Sequence, residues 1–313
     1  MICLARELNN LEVKTDVVVP DDWFSEKAQE ISPHIIPLSS GKQKTYDLAV
    51  CMNPLFTSLS DFSDIRSKNK AIYILHLKDD QYTSGYQQWI DHFQGIDRFW
   101  IFGNNSHCPV VYRVPEKSKY FDLIGGYDDI VKAVDERKRS RKVSILFNAS
   151  ATRWKGSSEI VLALERMHNI DSVNMYAFAS RSVNLNTNLR IKIEFNVPFK
   201  RMGDIYNHSD LFIYFEDKNA GWGNTAFEAI MAGVPVICTK YGTQAFAEHM
   251  KNAYVINRDT VELKHAINLL VNDSNLRNRI TVNREQRKQL INKFSYKTIA
   301  EKIVRLVDAN TGR

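Results

Sequence analysis

The chain has 313 residues, of which 44% are hydrophobic and 25% are charged. This composition excludes a disordered chain, and the length suits two domains of ordinary size. The net charge of +6 is uneven, because residues 1–140 hold 17 Lys and Arg against 20 Asp and Glu, whereas residues 141–313 hold 25 against 16. A basic second half favours an anionic ligand such as a nucleotide, a nucleic acid or an acidic membrane, and an unevenly charged solvated surface is the alternative.

The first half of the chain alternates short apolar runs with helical patterns. The runs predict five strands: Thr15–Val19, Tyr46–Met52, Ala71–His76, Arg98–Phe102 and Val110–Val114. Helical patterns cover Ile2–Leu8 and Gly85–Phe93. Buried strands that alternate with helices predict a parallel sheet with crossover helices.

The alternation stops between Gly125 and Lys142, where paired glycines precede a basic cluster, and we place a domain boundary between residues 125 and 126. The second half predicts the strands Val143–Ala149, Asn174–Ala179, Ile191–Phe195, Leu211–Phe215 and Pro235–Thr239. It predicts the helices Ser157–Met167, Thr225–Ala232, Val261–Val271, Leu276–Asn292 and Tyr296–Ala309. The sequence thus predicts two doubly wound α/β domains, 1–125 and 126–313, which bind ligands at the carboxyl ends of their strands.

Several classes of site are not supported by the residue spacing. The four cysteines lie far apart without a CxxC pair, which argues against zinc and a disulfide framework and fits a reducing cytoplasm. The histidines show no metal-ligand spacing, so we expect no metal site. No GxxxxGK[ST] loop is present, and no GxGxxG follows the first strand, which argues against a P-loop ATPase and a nicotinamide dehydrogenase. The first ten residues are too polar for a signal peptide, and no apolar run reaches the roughly 18 residues of a membrane span.

The most informative segment is Asp210–Cys238, in which a buried strand runs into a loop that holds Gly221 and Gly223. A helix then begins near Asn224 and Thr225. Glycines let the backbone approach a ligand closely, and the free N–H groups of a helix N-terminus attract phosphate. This pattern predicts an anion site.

Two side-chain roles follow at the start of this helix. Asn224 or Thr225 could cap it, with or without a ligand. Glu228, one turn further, is suitably placed to accept hydrogen bonds from ribose hydroxyls. The plainer interpretation is an acid that the helix dipole favours near its N-terminus.

The stretch GWGNTAFEAIMAGVPVICTKYGT resembles the donor-binding signature of retaining GT-B glycosyltransferases of the family-4, or group 1, type. The matching positions are Gly221, Gly223, Glu228, Ala229, Ala232, Gly233, Pro235 and Val236. The resemblance implies two facing Rossmann-like domains, with a C-terminal helix that returns to the first. It also implies a UDP- or GDP-linked sugar as donor, no permanently bound cofactor and no metal required by the motif.

Further residues take roles from this resemblance. Lys155, in Trp154-Lys155-Gly156, stands where the family has a Lys-Gly that holds the donor diphosphate, and Arg153 is the nearest substitute for a family arginine. His76 ends a predicted strand where the family often has a histidine beside the donor and acceptor, and a histidine that caps a carbonyl is the alternative. Phe294-Ser295-Tyr296 resembles the start of the family's closing helix.

The sequence departs from the family pattern in two places. The family motif has two glutamates, and here the first is replaced by Ala220. Glu216 and Asp217 lie just upstream, and we expect Glu216 to be the compensating carboxylate, because it ends the buried strand. The family also opens with a strand and a glycine-rich loop, whereas this chain begins with a helical pattern, which predicts a shortened first domain.

The predicted function is transfer of a sugar from a nucleotide-sugar donor to a hydroxyl of a polysaccharide, glycolipid or other glycan, with retention. The resemblance implies a cytoplasmic enzyme that could work at the inner face of the membrane on a lipid-linked acceptor. Ala220 motivates a different reading, a GT-B-like binding or partner subunit that has lost catalysis. A DNA-modifying glycosyltransferase ranks lower, because the basic half is already accounted for by the nucleotide, and a nucleotide-sugar epimerase is a third alternative.

Overall fold

The computed structural model describes residues 2–21, 34–52, 57–74, 80–93, 96, 98–104, 112, 119–128 and 142–311. The chain forms two compact units. The first unit combines residues 1–126 with residues 292–313, and the second comprises residues 127–291. None of the helices in the described ranges is both long and apolar enough to cross a membrane.

The first unit is built on a parallel four-stranded sheet. Its strands in spatial order are β3 (Thr45–Cys51), β4 (Arg66–Ile74), β5 (Phe99–Gly103) and β6 (Lys119–Asp122). A parallel pair, β1 (Val17–Val19) and β2 (Ile35–Pro37), forms a separate small sheet. The described helices are Ile2–Asn10, Leu38–Gln43, Leu59–Asp64, Asp80–Phe93 and, from the end of the chain, Tyr296–Thr311.

Both faces of the four-stranded sheet are buried, which explains the continuous apolar runs of β4 and β5. On one face, Trp89 and Phe93 of the helix Asp80–Phe93 pack into a cluster with Ile72 and Ile101. On the opposite face, one cluster joins sheet and helix residues: Leu4, Ala71, Tyr73, Trp100, Phe102, Leu123, Ile299, Ala300 and Ile303. The last helix of the chain therefore belongs to the core of the first unit.

The second unit is built on a parallel six-stranded sheet. Its strands are β7 (Val143–Asn148), β8 (Val173–Ala179), β9 (Ile191–Phe195), β10 (Leu211–Tyr214), β11 (Val236–Thr239) and β12 (Tyr254–Ile256). Their spatial order is β12-β11-β10-β7-β8-β9. The helices that begin in this unit are Ser157–Glu165, Met202–Asn207, Asn224–Met231, Thr260–Asn272, Ser274–Arg279 and Arg284–Phe294.

Strand β10 shows how side-chain alternation builds two layers. Leu211 and Ile213 join the core that contains the helices Ser157–Glu165 and Thr260–Asn272. Phe212 points to the other face, where its ring lies 5.6 Å from that of Tyr206. The chain leaves β7 toward β8 and later returns to pair β10 with the other side of β7, so the strand order reverses there. Ligands of doubly wound sheets bind at the carboxyl ends of strands flanking such a point.

The structure confirms the predicted α/β architecture and corrects some elements. The predicted helix Leu276–Asn292 is two helices, which end at Arg279 and begin again at Arg284. Asn283 separates them: its side chain accepts a hydrogen bond from the amide of Gln286, a turn that competes with a continuous helix. Strands β2 and β6 were not predicted, and the predicted strand Val110–Val114 lies outside the described residues except for Tyr112.

Candidate functional site

The chain turns sharply after β7, and a glycine makes the turn possible. A 3₁₀ turn covers Arg153–Lys155, and Gly156 follows in the left-handed region with φ of 76°. A Cβ at Gly156 would lie 2.2 Å from the carbonyl oxygen of Phe215. The backbone of Asp217 donates a hydrogen bond to the carbonyl of Trp154, 3.0 Å away. The loops that follow the adjacent strands β7 and β10 therefore pack directly on one another.

This packing brings Lys155 and Glu216 together. The Lys155 ammonium lies 2.7 Å from Oε1 of Glu216, and the Tyr214 hydroxyl donates to Oε2 at 2.9 Å. The Glu216 side chain is 7% exposed and that of Lys155 28%. Burial raises the pKa of Glu216 above its ordinary value, and the Lys155 ammonium opposes that rise. A cation thus remains open to solvent at the carboxyl end of the sheet.

The glycine loop is fixed by close backbone contacts. The amide of Gly223 donates to the carbonyl of Gly242 at 2.8 Å. A Cβ at Gly223 would lie 3.0 Å from the Tyr214 hydroxyl, and one at Gly242, where φ is 75°, would lie 2.7 Å from it. Trp222 packs against Phe246, with ring centroids 4.8 Å apart, so this indole stabilises the loop. Gly221 and Gly223 are both buried.

The helix Asn224–Met231 begins without a side-chain cap. Gly223 is the capping residue, so the prediction that Asn224 or Thr225 caps the helix is wrong. Asn224 is exposed and Thr225 half-buried, and both lie in the first turn. Because glycine offers no side-chain acceptor, the positive end of the helix dipole is left for an anionic group.

Glu228 lies one turn into this helix and is partly buried. Its Oε2 accepts a hydrogen bond from the buried Tyr206 hydroxyl at 2.8 Å. Burial raises the pKa of Glu228 to about 7, while the Tyr206 hydrogen bond lowers it. In contrast to Glu216, this carboxyl has a neutral partner, so it exchanges its proton near neutral pH.

A cavity of about 420 Å³ opens beside the loop after β7. Its lining residues are Ser150–Arg153, Ser157–Glu159 and Val183–Leu185. Arg153 is exposed on this lining. In the part of the chain that the structure describes, no group of three or more His, Cys, Asp or Glu side chains is arranged to hold a metal ion.

The residues of the second unit match a known protein family. Residues 132–287 match the family model described as "Glycosyl transferases group 1". The match covers almost the whole of the second unit, which therefore resembles a group 1 glycosyltransferase domain. The predicted class of enzyme, a glycosyltransferase, is confirmed by this family match.

Solved structures extend the likeness to the whole chain. HepE of Anabaena, solved with UDP and glucose, superposes with a TM-score of 0.75 at 14% identity, covering 98% of this chain and 94% of that protein. Sucrose-phosphate synthase of Thermosynechococcus elongatus gives 0.76 at 13% identity, with 99% and 92% covered. A glycosyltransferase of Rickettsia africae gives 0.70 at 14% identity, with 98% and 93% covered. At these identities the likeness confirms the GT-B fold. A search of curated proteins found no match to this sequence.

The sequence singled out Lys155 and Glu228 by their resemblance to the group 1 signature and Glu216 by its place at the strand end, but not the side chains that hold them. Tyr214 escaped notice because it sits inside the apolar run LFIYF, and Tyr206 lies 22 residues before its partner. His76 lies outside the described residues, so its role stays a prediction.

Arg258 was also missed, because it joins elements that are distant in sequence. Its guanidinium stacks 4.2 Å from the centre of the Phe215 ring and lies 3.1 Å from Oε1 of Glu159. A Cβ at Gly156 would lie 3.1 Å from one of its nitrogens. Arg258 thus packs against the turn that carries Lys155 and links it to Phe215 and Glu159.

Proposed function

We propose that this chain transfers a sugar from a UDP- or GDP-linked donor to a hydroxyl group of a glycan or lipid-linked acceptor, with retention of the anomeric configuration. The observation that carries the proposal is the junction of the loops after β7 and β10. It holds a partly exposed ammonium, Lys155, next to the glycine loop that opens an uncapped helix. The positive charge of Lys155 and the positive end of this helix dipole suit a negatively charged diphosphate.

Each donor-site residue has a distinct part in this proposal. Lys155 neutralises the charge that grows on the diphosphate as the sugar leaves, so it stabilises the transition state more than the bound donor. Arg153 supplies a second cation, and beside the Gly221–Gly223 loop the first turn of the uncapped helix, with Asn224 and Thr225, presents the positive end of the helix dipole. Glu228 accepts hydrogen bonds from the ribose.

Retention is proposed without a protein nucleophile. The leaving phosphate accepts the proton of the acceptor hydroxyl, and His76 contacts the donor sugar or the acceptor. We assign no part to a metal ion or to a permanently bound cofactor. HepE has been solved with UDP and with UDP-glucose, and a Staphylococcus aureus TarM variant with UDP and alpha-GlcNAc-glycerol, which supports this donor class.

The setting of the reaction is part of the same proposal. We place the enzyme in the cytoplasm or at the inner face of the membrane, where a lipid-linked acceptor would require peripheral association. Nucleic acid is not proposed as an acceptor.

Ala220 favours a second candidate, a GT-B-like partner subunit without catalysis. Ala220 is buried, and its Cβ would lie 3.2 Å from a Cβ at Gly242. The position where the family carries its first glutamate is therefore closely packed here around a methyl group.

Incubation with a panel of UDP-, GDP- and ADP-sugars, with sugar release and transfer to hydroxyl acceptors measured by NMR, separates the two candidates. We expect turnover of one donor class and a product with the donor's anomeric configuration. Lys155→Met should lower turnover roughly 100-fold or more, because one transition-state cation is lost. Lys251→Met, which removes an exposed lysine paired with Glu248, is the matched control and should leave turnover unchanged. Donor binding without turnover would favour the partner subunit, and no binding of any donor would contradict both.

A further inference from the structure

Both oxygens of the Glu216 carboxylate are used inside the protein. One accepts from the Lys155 ammonium at 2.7 Å and the other from the Tyr214 hydroxyl at 2.9 Å. The backbone of the same residue is also held, because its carbonyl accepts a hydrogen bond from the buried Thr239 hydroxyl at 2.6 Å. A carboxylate that replaces the missing family glutamate would need to present its remaining lone pairs to the donor sugar, whereas the Glu216 side chain is 7% exposed. Glu216 is instead directed at Lys155.

Lys155 faces two competing anions if it binds a diphosphate. Its side chain is 28% exposed, whereas the carboxylate behind it is 7% exposed. The cation therefore reaches solvent on one side and is neutralised from the other. An anion that approaches Lys155 meets a pair with no net charge rather than a full positive charge, so its attraction is reduced.

We propose that Glu216 is an internal counterion that competes with the donor diphosphate for Lys155 and thereby weakens the binding of the nucleoside diphosphate product. The inference rests on the proposed donor site and assigns Glu216 a role different from contact with the sugar. A weakened hold on the product favours its release, which limits the rate of many enzymes.

Tyr214 keeps the counterion in place. Its hydroxyl lies against Gly223 and Gly242, where any side chain would come within 3.0 Å or less of it. Burial holds the pKa of Tyr214 well above its ordinary value, so the hydroxyl stays protonated and donates to Glu216. Because this side chain is fixed between two loops, Glu216 cannot follow Lys155 toward a bound ligand.

Calorimetric titration with UDP, GDP and ADP, alongside the neutral nucleosides, tests the proposal. Glu216→Gln keeps the shape of the side chain and removes its charge. We expect it to tighten binding of the nucleoside diphosphate by about three- to tenfold and to leave nucleoside binding unchanged. Glu248→Gln, an exposed acid elsewhere in the second unit, should change neither.

The decisive comparison repeats Glu216→Gln in a Lys155→Met background. Without the ammonium, nothing offsets the burial that raises the pKa of the Glu216 carboxyl, so its neutral form is favoured further and its replacement should change the remaining affinity less than about twofold. Equal tightening in both backgrounds, or weaker nucleoside diphosphate binding in Glu216→Gln, overturns the proposal. A loss confined to the nucleotide sugar would assign Glu216 to the sugar instead.

Two further readouts keep the test conclusive. If Glu216→Gln does not fold, as judged by circular dichroism, Tyr214→Phe should tighten nucleoside diphosphate binding in the same direction by about twofold, because the counterion is less firmly held. Unchanged or weaker binding in Tyr214→Phe would count against the counterion. If the unmodified protein binds none of the three diphosphates, the proposed donor site itself is wrong.

Discussion

Glu216 and Glu228 lie on successive parts of one strand–loop–helix segment, and their surroundings differ in one respect. Glu216 faces the Lys155 cation and the Tyr214 hydroxyl, whereas the acceptor oxygen of Glu228 faces the Tyr206 hydroxyl. Burial raises the pKa of both carboxyls, but a cation opposes the rise at Glu216 and a neutral hydroxyl opposes it at Glu228. The Lys155 cation thus favours the charged form of Glu216, whereas Glu228 has no such partner.

The largest effect is expected from a change in the turn that carries Lys155, the partner of Glu216. Gly156→Ala places a Cβ 2.2 Å from the Phe215 carbonyl at a residue with φ of 76°. We expect the free energy of unfolding to fall by about 2 to 3 kcal/mol, because the backbone must shift. In the folded fraction, nucleoside diphosphate affinity should fall while nucleoside affinity is kept.

Urea unfolding and titration calorimetry measure the two effects. Lys251→Met serves as the control for a change in the same unit away from the loop. An equal loss of nucleoside and nucleoside diphosphate affinity would contradict the prediction, because it would show that the Lys155 turn affects nucleoside binding as much as diphosphate binding.

An intermediate effect is expected at Glu228. Its folded pKa of about 7 exceeds the ordinary value of 4.5, so the folded protein keeps a proton that the unfolded chain has released. The free energy of unfolding therefore falls as pH rises from about 4.5 through about 7, and this loss is complete above that window. Glu228→Gln should remove the loss and exceed the wild type in stability at pH 8 by on the order of 2 kcal/mol, with little difference at pH 5.

Urea unfolding at the two pH values checks this sign. Glu248→Gln, which removes an exposed acid, should show no such pH dependence. A stability difference that is the same at pH 5 and pH 8 would mean that Glu228 is ionised throughout.

The smallest effect is expected for Tyr206→Phe. The lost hydrogen bond lowered the pKa of Glu228, so the variant should titrate at higher pH. Stability should fall by roughly 1 kcal/mol, since one buried hydrogen bond is removed. NMR titration of the Glu228 carboxyl carbon measures the shift, and an unchanged midpoint would show that the Tyr206 contact has no effect on the proton.

Much of the second unit could be predicted from its sequence, because the evidence there is local. The run LFIYF, the loop glycines Gly221 and Gly223, and Glu228 lie within 18 residues. Their order alone predicts a strand, a loop and a helix start. The partners of these residues could not be predicted in the same way. Tyr206, Arg258 and Gly242 reach the site through the topology of the sheet, and no spacing in the sequence shows that they meet.

The wrong predictions have the same origin. Asn224 and Thr225 are good capping residues, yet the close approach of Gly223 to Gly242 sets the start of the helix one residue earlier. The single helix predicted over Leu276–Asn292 satisfied the periodicity, but a side-chain turn at Asn283 interrupts it. At the first place a contact between residues distant in sequence sets the helix start, and at the second a local hydrogen bond outweighs helix propensity.

The placement of the last helix affects how the protein is made on the ribosome. Ile299, Ala300 and Ile303 complete the core around Tyr73 and Trp100, yet they are synthesised about 200 to 230 residues after those aromatic side chains. At about 5 to 20 residues per second, the first unit waits roughly ten seconds or more for its missing layer. The second unit, contiguous over residues 127–291, is complete before that layer emerges. We therefore expect the second unit to fold before the first is completed, the reverse of the usual order along a nascent chain, with the aromatic face of the first sheet as the surface that chaperones would need to protect in the interval.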